Sequence, residues 1–208
     1  MAWLMLAAGS ARRFGAAKLL APLAFRDTSE EGAKEITLIE VAIASLKGTP
    51  WPIFVAVRED DDALRALLAE QNVQVLPVST RGMGDTIAAG LRALLTVSQG
   101  CPEAVGIALA DMPLLTPCLH RELILHADGD GIVRPVHTPS GRVGHPVIFG
   151  RRYFAQLERC SGDSGAQSIV ASVATSIHLV PTISEGCLVD IDTPTDLQRA
   201  QQLFTVPT

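Results

Sequence analysis

The chain alternates short apolar runs with longer stretches in which apolar residues recur every three or four positions. Runs that fit buried strands lie at Ala2–Ala7, Pro52–Val57, Val73–Val78, Val105–Ala110, Gly131–Arg134, Pro146–Phe149, Ser176–Val180 and Leu188–Ile191. Between most of them a helical stripe appears, at Thr37–Leu46, Asp62–Glu70, Thr86–Thr96, Pro117–His126, Arg151–Leu157 and Thr195–Phe204. In the first of these Leu38, Ile39, Ala42, Ile43 and Leu46 share one face. Strands alternating with helices predict an α/β fold, a three-layer α/β/α sandwich around a Rossmann-like, mostly parallel mixed sheet. Such sheets bind ligands beyond the carboxyl ends of their strands. The loop after Ala2–Ala7 and the carboxylate of Asp111, which follows Val105–Ala110, are therefore expected at one edge. The polar segment Phe25–Glu35 shows no period and reads as an exposed loop.

At 208 residues the chain suits a single domain spanning 1–208, large enough to bury roughly 70% of its unfolded surface. Seventeen basic against 22 acidic residues, a net charge of −5, argue against a broad nucleic-acid surface and leave room for a small nucleotide. Cys101, Cys118, Cys160 and Cys187 form no C-x-x-C pair, so reduced structural thiols are expected rather than a zinc or redox site. The apolar start has no basic flank and reaches Gly9 too soon for a secretory or membrane-spanning segment. A soluble, cytoplasmic protein without membrane or nucleic-acid partners is the expectation.

The candidate chemistry begins in Leu6-Ala7-Ala8-Gly9-Ser10-Ala11-Arg12-Arg13-Phe14-Gly15-Ala16-Ala17-Lys18. Glycines let backbone N–H groups approach phosphate oxygens, and three cations supply the neutralising charge. The Walker spacing G-x-x-x-x-G-K-S/T fails, because Gly9 and Gly15 are one residue too far apart and Lys18 comes three residues after Gly15. The dinucleotide fingerprint G-x-G-x-x-G fails as well. By spacing alone, an ordinary strand-to-helix turn with solvated basic residues stays open.

The string LAAG-x-x-x-R-F-G-x-x-K resembles the opening signature of nucleotidyltransferases that attach a nucleotide to a phosphorylated acceptor, with molybdenum cofactor cytidylyltransferases and their guanylyltransferase relatives as the nearest likeness. Further matching motifs follow in order: Arg81-Gly82-Met83-Gly84, Ala110-Asp111-Met112-Pro113, Gly144-His145-Pro146-Val147, Gly162-Asp163-Ser164-Gly165-Ala166 and Val189-Asp190-Ile191-Asp192-Thr193-Pro194. The fold this implies is that of the nucleotide-diphospho-sugar transferases.

The resemblance also implies roles. Arg13 and Lys18 would clamp the triphosphate, with Arg12 the lesser candidate, while Ala7, Ala8, Gly9 and Gly15 would line the cradle. Gly82 and Met83 would approach base and ribose. Asp111 would hold Mg²⁺, which favours carboxylates plus phosphate oxygens, and Asp190 is slightly preferred over Asp192 to complete the metal site. Asp192 has a structural alternative as N-cap of the last helix, since Asp192-Thr193-Pro194 is a good start signal. His145 and Asp163 fall in acceptor-side motifs, with Arg142 and Gln167 as further acceptor contacts; a turn histidine satisfied by backbone is the alternative for His145. Asp85 stands where relatives carry a small residue, and an acid in a first helical turn is also plainly favourable there.

LAAG is more similar to the cytidine users of the family than to the guanosine users. The expected reaction is transfer of CMP from CTP to molybdenum-bearing molybdopterin, giving the cytosine dinucleotide cofactor and pyrophosphate. Alternatives are GTP as donor, another small phosphorylated acceptor, or a non-catalytic carrier that passes the cofactor to a molybdenum hydroxylase.

Overall fold

The computed structural model describes residues 1–9, 14, 17–23, 35–173 and 177–205. Its centre is an eight-stranded sheet. The strands are β1 (Ala2–Leu6), β4 (Ile53–Arg58), β5 (Gln74–Val78), β6 (Ala104–Leu109), β7 (Ile132–His137), β8 (Arg142–Val143), β9 (Val147–Gly150) and β10 (Ile177–Thr182). They lie in the order β10-β7-β9-β6-β1-β4-β5, with β8 paired to β7. β1 runs parallel to both β4 and β6, and β4–β5 and β10–β7 are parallel too. β9 is antiparallel to both its neighbours, which makes the sheet mixed. Two short strands, β2 (Pro22–Leu23) and β3 (Ile36–Thr37), form a separate antiparallel pair.

Apolar runs without alternation become central strands because both of their faces are covered. Successive side chains of β1 point to opposite faces: Trp3 and Met5 pack with Ile43, Val55 and Leu68 in one layer, and Leu4 packs with Ala56, Ile87 and Leu91 in the other. Helices α1 (Leu38–Lys47), α2 (Asp62–Ala69) and α4 (Pro117–Leu125) contribute to the first layer. The second is covered by α3 (Met83–Val97), α5 (Phe154–Leu157) and α6 (Gln167–Ser172). The expected three-layer α/β/α sandwich is therefore the observed one. The last helix, α7 (Pro194–Thr205), meets Leu23 and Leu38 through Ala200 in a smaller cluster. Among the described residues no helix is long and apolar enough to cross a membrane.

The structure corrects one predicted strand. At Leu188–Ile191 the chain leaves a 3-10 turn over Glu185–Leu188 and runs on outside the sheet. The Ile191 N–H donates to the Asp111 carbonyl at 2.9 Å, so its partner is a loop and not a strand. β8, the β2–β3 pair and α6 are elements the apolar pattern did not announce. They are two to six residues long, too short to show a period. Most of the Phe25–Glu35 segment lies outside the described residues.

Candidate active site

The site grows from the ends of three parallel strands. Leu6 sits level with Ala56 on one side and with Leu109 on the other, so β1 and β6 finish together while β4 runs on to Arg58. One residue past the ladder, the Ala7 N–H donates to the Ala56 carbonyl at 2.8 Å and the Ala110 N–H donates to the Leu6 carbonyl at 3.2 Å. Ala7 and Ala8 are buried, and Gly9 then emerges with no described atom within 4 Å of where a Cβ would stand. Packing does not require glycine there. Its bare backbone leaves space that something else can occupy.

Lys18 opens a 3-10 turn over Lys18–Leu20 and reaches across this edge. Its ammonium donates to Asp111 Oδ2 at 2.8 Å and to Asp192 Oδ1 at 3.1 Å. The lysine side chain is only 11% exposed. Burial works against its charge, but the attraction of Asp111, helped by Asp192, outweighs burial and raises its pKa above the ordinary lysine value. Asp111 Oδ1 is buried and has no hydrogen-bond partner among the described residues. A carboxylate oxygen in that state is well suited to an incoming cation or hydrogen-bond donor.

Asp192 arrives by a tertiary contact and a helix cap. The Ile191–Asp111 hydrogen bond ties the two loops together, while Thr193 takes the capping role that the sequence allowed for Asp192. The Asp196 N–H donates to Thr193 Oγ1 at 3.2 Å, and Asp196 Oδ2 accepts from the Thr193 N–H at 2.8 Å and from the Asp192 N–H at 3.2 Å. With the cap supplied by its neighbour, the Asp192 carboxylate is turned to Lys18. Asp190, the slightly preferred metal ligand, is exposed; it faces the same cleft but does not contact Lys18. No group of three or more ligating His, Cys, Asp or Glu side chains occurs among the described residues. A pair of carboxylates with one orphaned oxygen fits a hard divalent cation, which usually takes one or two protein carboxylates and fills the rest of its shell with phosphate and water oxygens.

Two adjoining spaces meet at Gly9, Leu6, Arg58, Asp111 and Asp192. A cleft of about 380 Å³ is walled by Ala7, Lys18 and Leu64. A second, of about 480 Å³, holds Ala8, Gly82, Met83, Asp163 and Asp190. Gly82 and Gly84 are forced by contact with the Asp163 loop: a Cβ at Gly82 would lie 2.5 Å from the Gly162 carbonyl oxygen, and one at Gly84 2.6 Å from that of Ser161. The Gly84 N–H donates to the Gly162 carbonyl at 2.7 Å, which locks the start of α3 against that loop. Asp85 falls in the first turn of α3, as expected. Arg58, at the end of β4 and paired with Asp60, borders both clefts and went unnoticed in the sequence; its place after the strand beside β1 was the available signal. Arg12, Arg13 and Gly15 lie outside the described residues.

His145, joined to Pro146 by a cis peptide bond, and Gln167 line a third space of about 500 Å³. Burial first, then the nearby charge of Arg134, push the His145 pKa down to about 4, against the opposing pull of Asp190. Its Nδ1 is buried without a partner among the described residues, while its backbone N–H donates to the Cys187 carbonyl at 2.9 Å. Arg142 is exposed on β8 and does not line this space. Arg134 does line it, and no sequence motif pointed to it.

Residues 3–177 match the MobA-like NTP transferase domain family. No curated protein matches the chain. Among solved structures, the homologue of Mycobacterium tuberculosis Rv0371c from Mycobacterium sp. strain JC1 superposes with a TM-score of 0.79 at 24% identity, covering 98% of this chain and 96% of that one. Rv0371c of Mycobacterium tuberculosis in complex with manganese gives 0.73 at 23% identity, over 99% and 98% of the two chains. A nucleotidyl transferase from Methanothermobacter thermautotrophicus gives 0.77 at 19% identity, over 98% and 96%. At these identities the likeness speaks for the fold.

Proposed function

The chain belongs to the MobA-like NTP transferase domain family and is on that ground a nucleotidyltransferase; from this premise we propose that it transfers CMP from CTP to the phosphate of molybdenum-bearing molybdopterin, forming molybdopterin cytosine dinucleotide and pyrophosphate. The observation that carries the reading is the contact between Lys18 and Asp111, 93 positions apart in sequence, at the open edge of the sheet.

The reaction joins two anions. An acceptor phosphate oxygen forms a bond to the α-phosphorus while the bond to the bridging oxygen breaks, and that oxygen leaves with its electron pair on pyrophosphate. Catalysis of this kind rests on position and charge neutralisation. Lys18 is suited to the triphosphate because its carboxylate partners keep it protonated, and Arg13 is assigned beside it by motif. Gly9 and Gly15 would let phosphate oxygens approach backbone N–H groups. Ala8 lies on the wall of the second cleft with Gly82 and Met83, where a methyl group in place of hydrogen narrows the space for a base and favours cytosine over guanine. Asp163 closes the same cleft from the acceptor side.

A divalent cation, Mg²⁺ or the manganese seen with a fold relative, would be held by Asp111 with Asp192 or Asp190 and would neutralise phosphate charge. Asp111 and Asp192 supply the carboxylate oxygens that such a cation takes. Incubation of labelled CTP and GTP with Mg²⁺ or Mn²⁺ and either molybdopterin or a sugar phosphate, with pyrophosphate release as readout, tests donor and acceptor together. CTP with molybdopterin is expected to react fastest. Binding of a dinucleotide cofactor with no pyrophosphate release under any condition would point to a carrier instead.

A further inference from the structure

Met83 and Leu109 face both the second cleft and the 500 Å³ cavity, so the two spaces adjoin at the strand edge where Asp111 stands two residues beyond Leu109. Strand register orients the cavity. Val147 pairs with Ile107 and Phe149 with Val105, while Ile132 pairs with Phe149 and Ile177. Phe149 and Ile177 therefore mark its inner end, and Arg134, which pairs with Leu179, stands with His145 at the mouth nearest Asp111.

Arg134 is half-buried, and its Nε and Nη2 both donate to a single acceptor, the Gly144 carbonyl, at 3.3 and 3.1 Å. No carboxylate pairs with it among the described residues. A guanidinium has five N–H donors and is costly to bury without a counter-charge. His145 beside it is held neutral and presents a buried Nδ1 that has no partner among the described residues. The walls further in are aliphatic or aromatic, with Ser164 and Gln167 as the polar side chains on the helix side. One cation at the mouth of an apolar chamber is a recognition pattern for an anion carried on a body of low polarity.

We propose that Arg134 binds the phosphate of the acceptor at the mouth of this cavity, and that the body filling it is a flat or apolar ring system and not a polyol. The inference rests on the nucleotidyl-transfer reading for its direction, since the phosphate so held faces the Asp111 edge. A polyol would bury hydroxyl groups against Phe149 and Ile177, whose side chains offer no hydrogen-bond partner. A flat heteroaromatic ring can lay its faces on the apolar walls and turn its polar edge to Ser164 and Gln167, whereas a hexose carries hydroxyl groups around its whole ring.

The test uses 1-naphthyl phosphate, 1-naphthol and glucose 1-phosphate as probes in titration calorimetry, with CTP and Mg²⁺ titrated in parallel. Naphthyl phosphate is expected to bind at least about tenfold more tightly than glucose 1-phosphate, and Arg134→Gln to lose about tenfold or more of that affinity with CTP binding intact. Arg134→Lys should recover part of the loss, and 1-naphthol should bind both proteins alike. Ala171→Trp, on the helical wall, should block naphthyl phosphate without touching Arg134, and it decides the matter if Arg134→Gln fails to fold. Equal binding of glucose 1-phosphate, or undiminished naphthyl phosphate binding in Arg134→Gln or in Ala171→Trp, overturns the proposal. Failure of the wild-type protein to bind CTP would instead count against the nucleotidyl-transfer reading, and the naphthyl phosphate arm would still judge Arg134.

Discussion

Replacing Lys18 with methionine keeps most of the buried stem and deletes the ammonium, so it isolates the charge. Two charge-assisted hydrogen bonds go, at 2.8 Å to Asp111 and 3.1 Å to Asp192. Such bonds contribute about 1.5–3 kcal/mol each in a shielded setting. The Asp192 side chain is 45% exposed, however, and solvent screening reduces its share to a few tenths. A stability loss of about 1–3 kcal/mol, mostly through Asp111, is expected, small enough for a domain of ordinary stability to stay folded. Loss of one preorganised charge contact to a transition state typically costs about 3–4 kcal/mol, or roughly 10²–10³-fold in turnover. Pyrophosphate release measured beside urea unfolding separates the two effects. pH supplies an independent check. Because folding raises the Lys18 pKa, its stabilisation is fully present below the unfolded value of 10.5 and drains away as pH rises through the folded value, where the unfolded chain has already lost the proton. The wild-type protein should therefore lose stability above about pH 10.5 with a component that Lys18→Met lacks. Undiminished turnover in the variant would refute the assignment of Lys18, and an unchanged neutral-pH stability would refute the ion-pair geometry.

Asp192→Asn should raise the Mg²⁺ or Mn²⁺ concentration needed for half-maximal turnover by at least about tenfold, a cost seen even for partners outside a coordination shell, and should do so more than Asp190→Asn; a metal titration that ranks them the other way assigns the ligand to Asp190. Gly84→Ala would stabilise an exposed helix by about 1 kcal/mol, but here the Cβ meets the Ser161 backbone at 2.6 Å, so chemical denaturation should show destabilisation and nucleotide binding should weaken. His120, fully buried against Trp3, is held down to about pKa 4 by burial, against the hydrogen bond to the Ser45 carbonyl. Its contribution is present above pH 6.5 and is lost as pH falls toward 4, by about 3 kcal/mol from the size of the shift. His120→Phe should flatten that part of the acid stability profile, and an unchanged profile would show that His120 is not kept neutral in the fold.

The sequence determined what depends on neighbours along the chain. Five- and six-residue apolar runs with no polar alternation, such as Ala2–Leu6 and Ala104–Leu109, have few solutions other than strands covered on both faces, and the layered fold follows from their alternation with helical stripes. The glycine-rich cationic loop and the Ala110-Asp111-Met112-Pro113 motif were equally visible, because each is contiguous.

Tertiary structure decided what depends on partners far away. Leu188–Ile191 has the composition of a strand, yet the Ile191 N–H finds Asp111, 80 positions earlier, and not a ladder. The sequence slightly prefers Asp190, because Asp192 is a candidate N-cap; the fold gives the cap to Thr193 and Asp196 and sets the Asp192 carboxylate against Lys18. Arg134 belongs to no motif, and its charge, without a carboxylate partner among the described residues, has meaning only because β7 sets it at the mouth of an apolar cavity. Periodicity records which face a residue buries. Which loop meets which, and which charge is left without a partner, is fixed only when backbones close to within hydrogen-bonding distance.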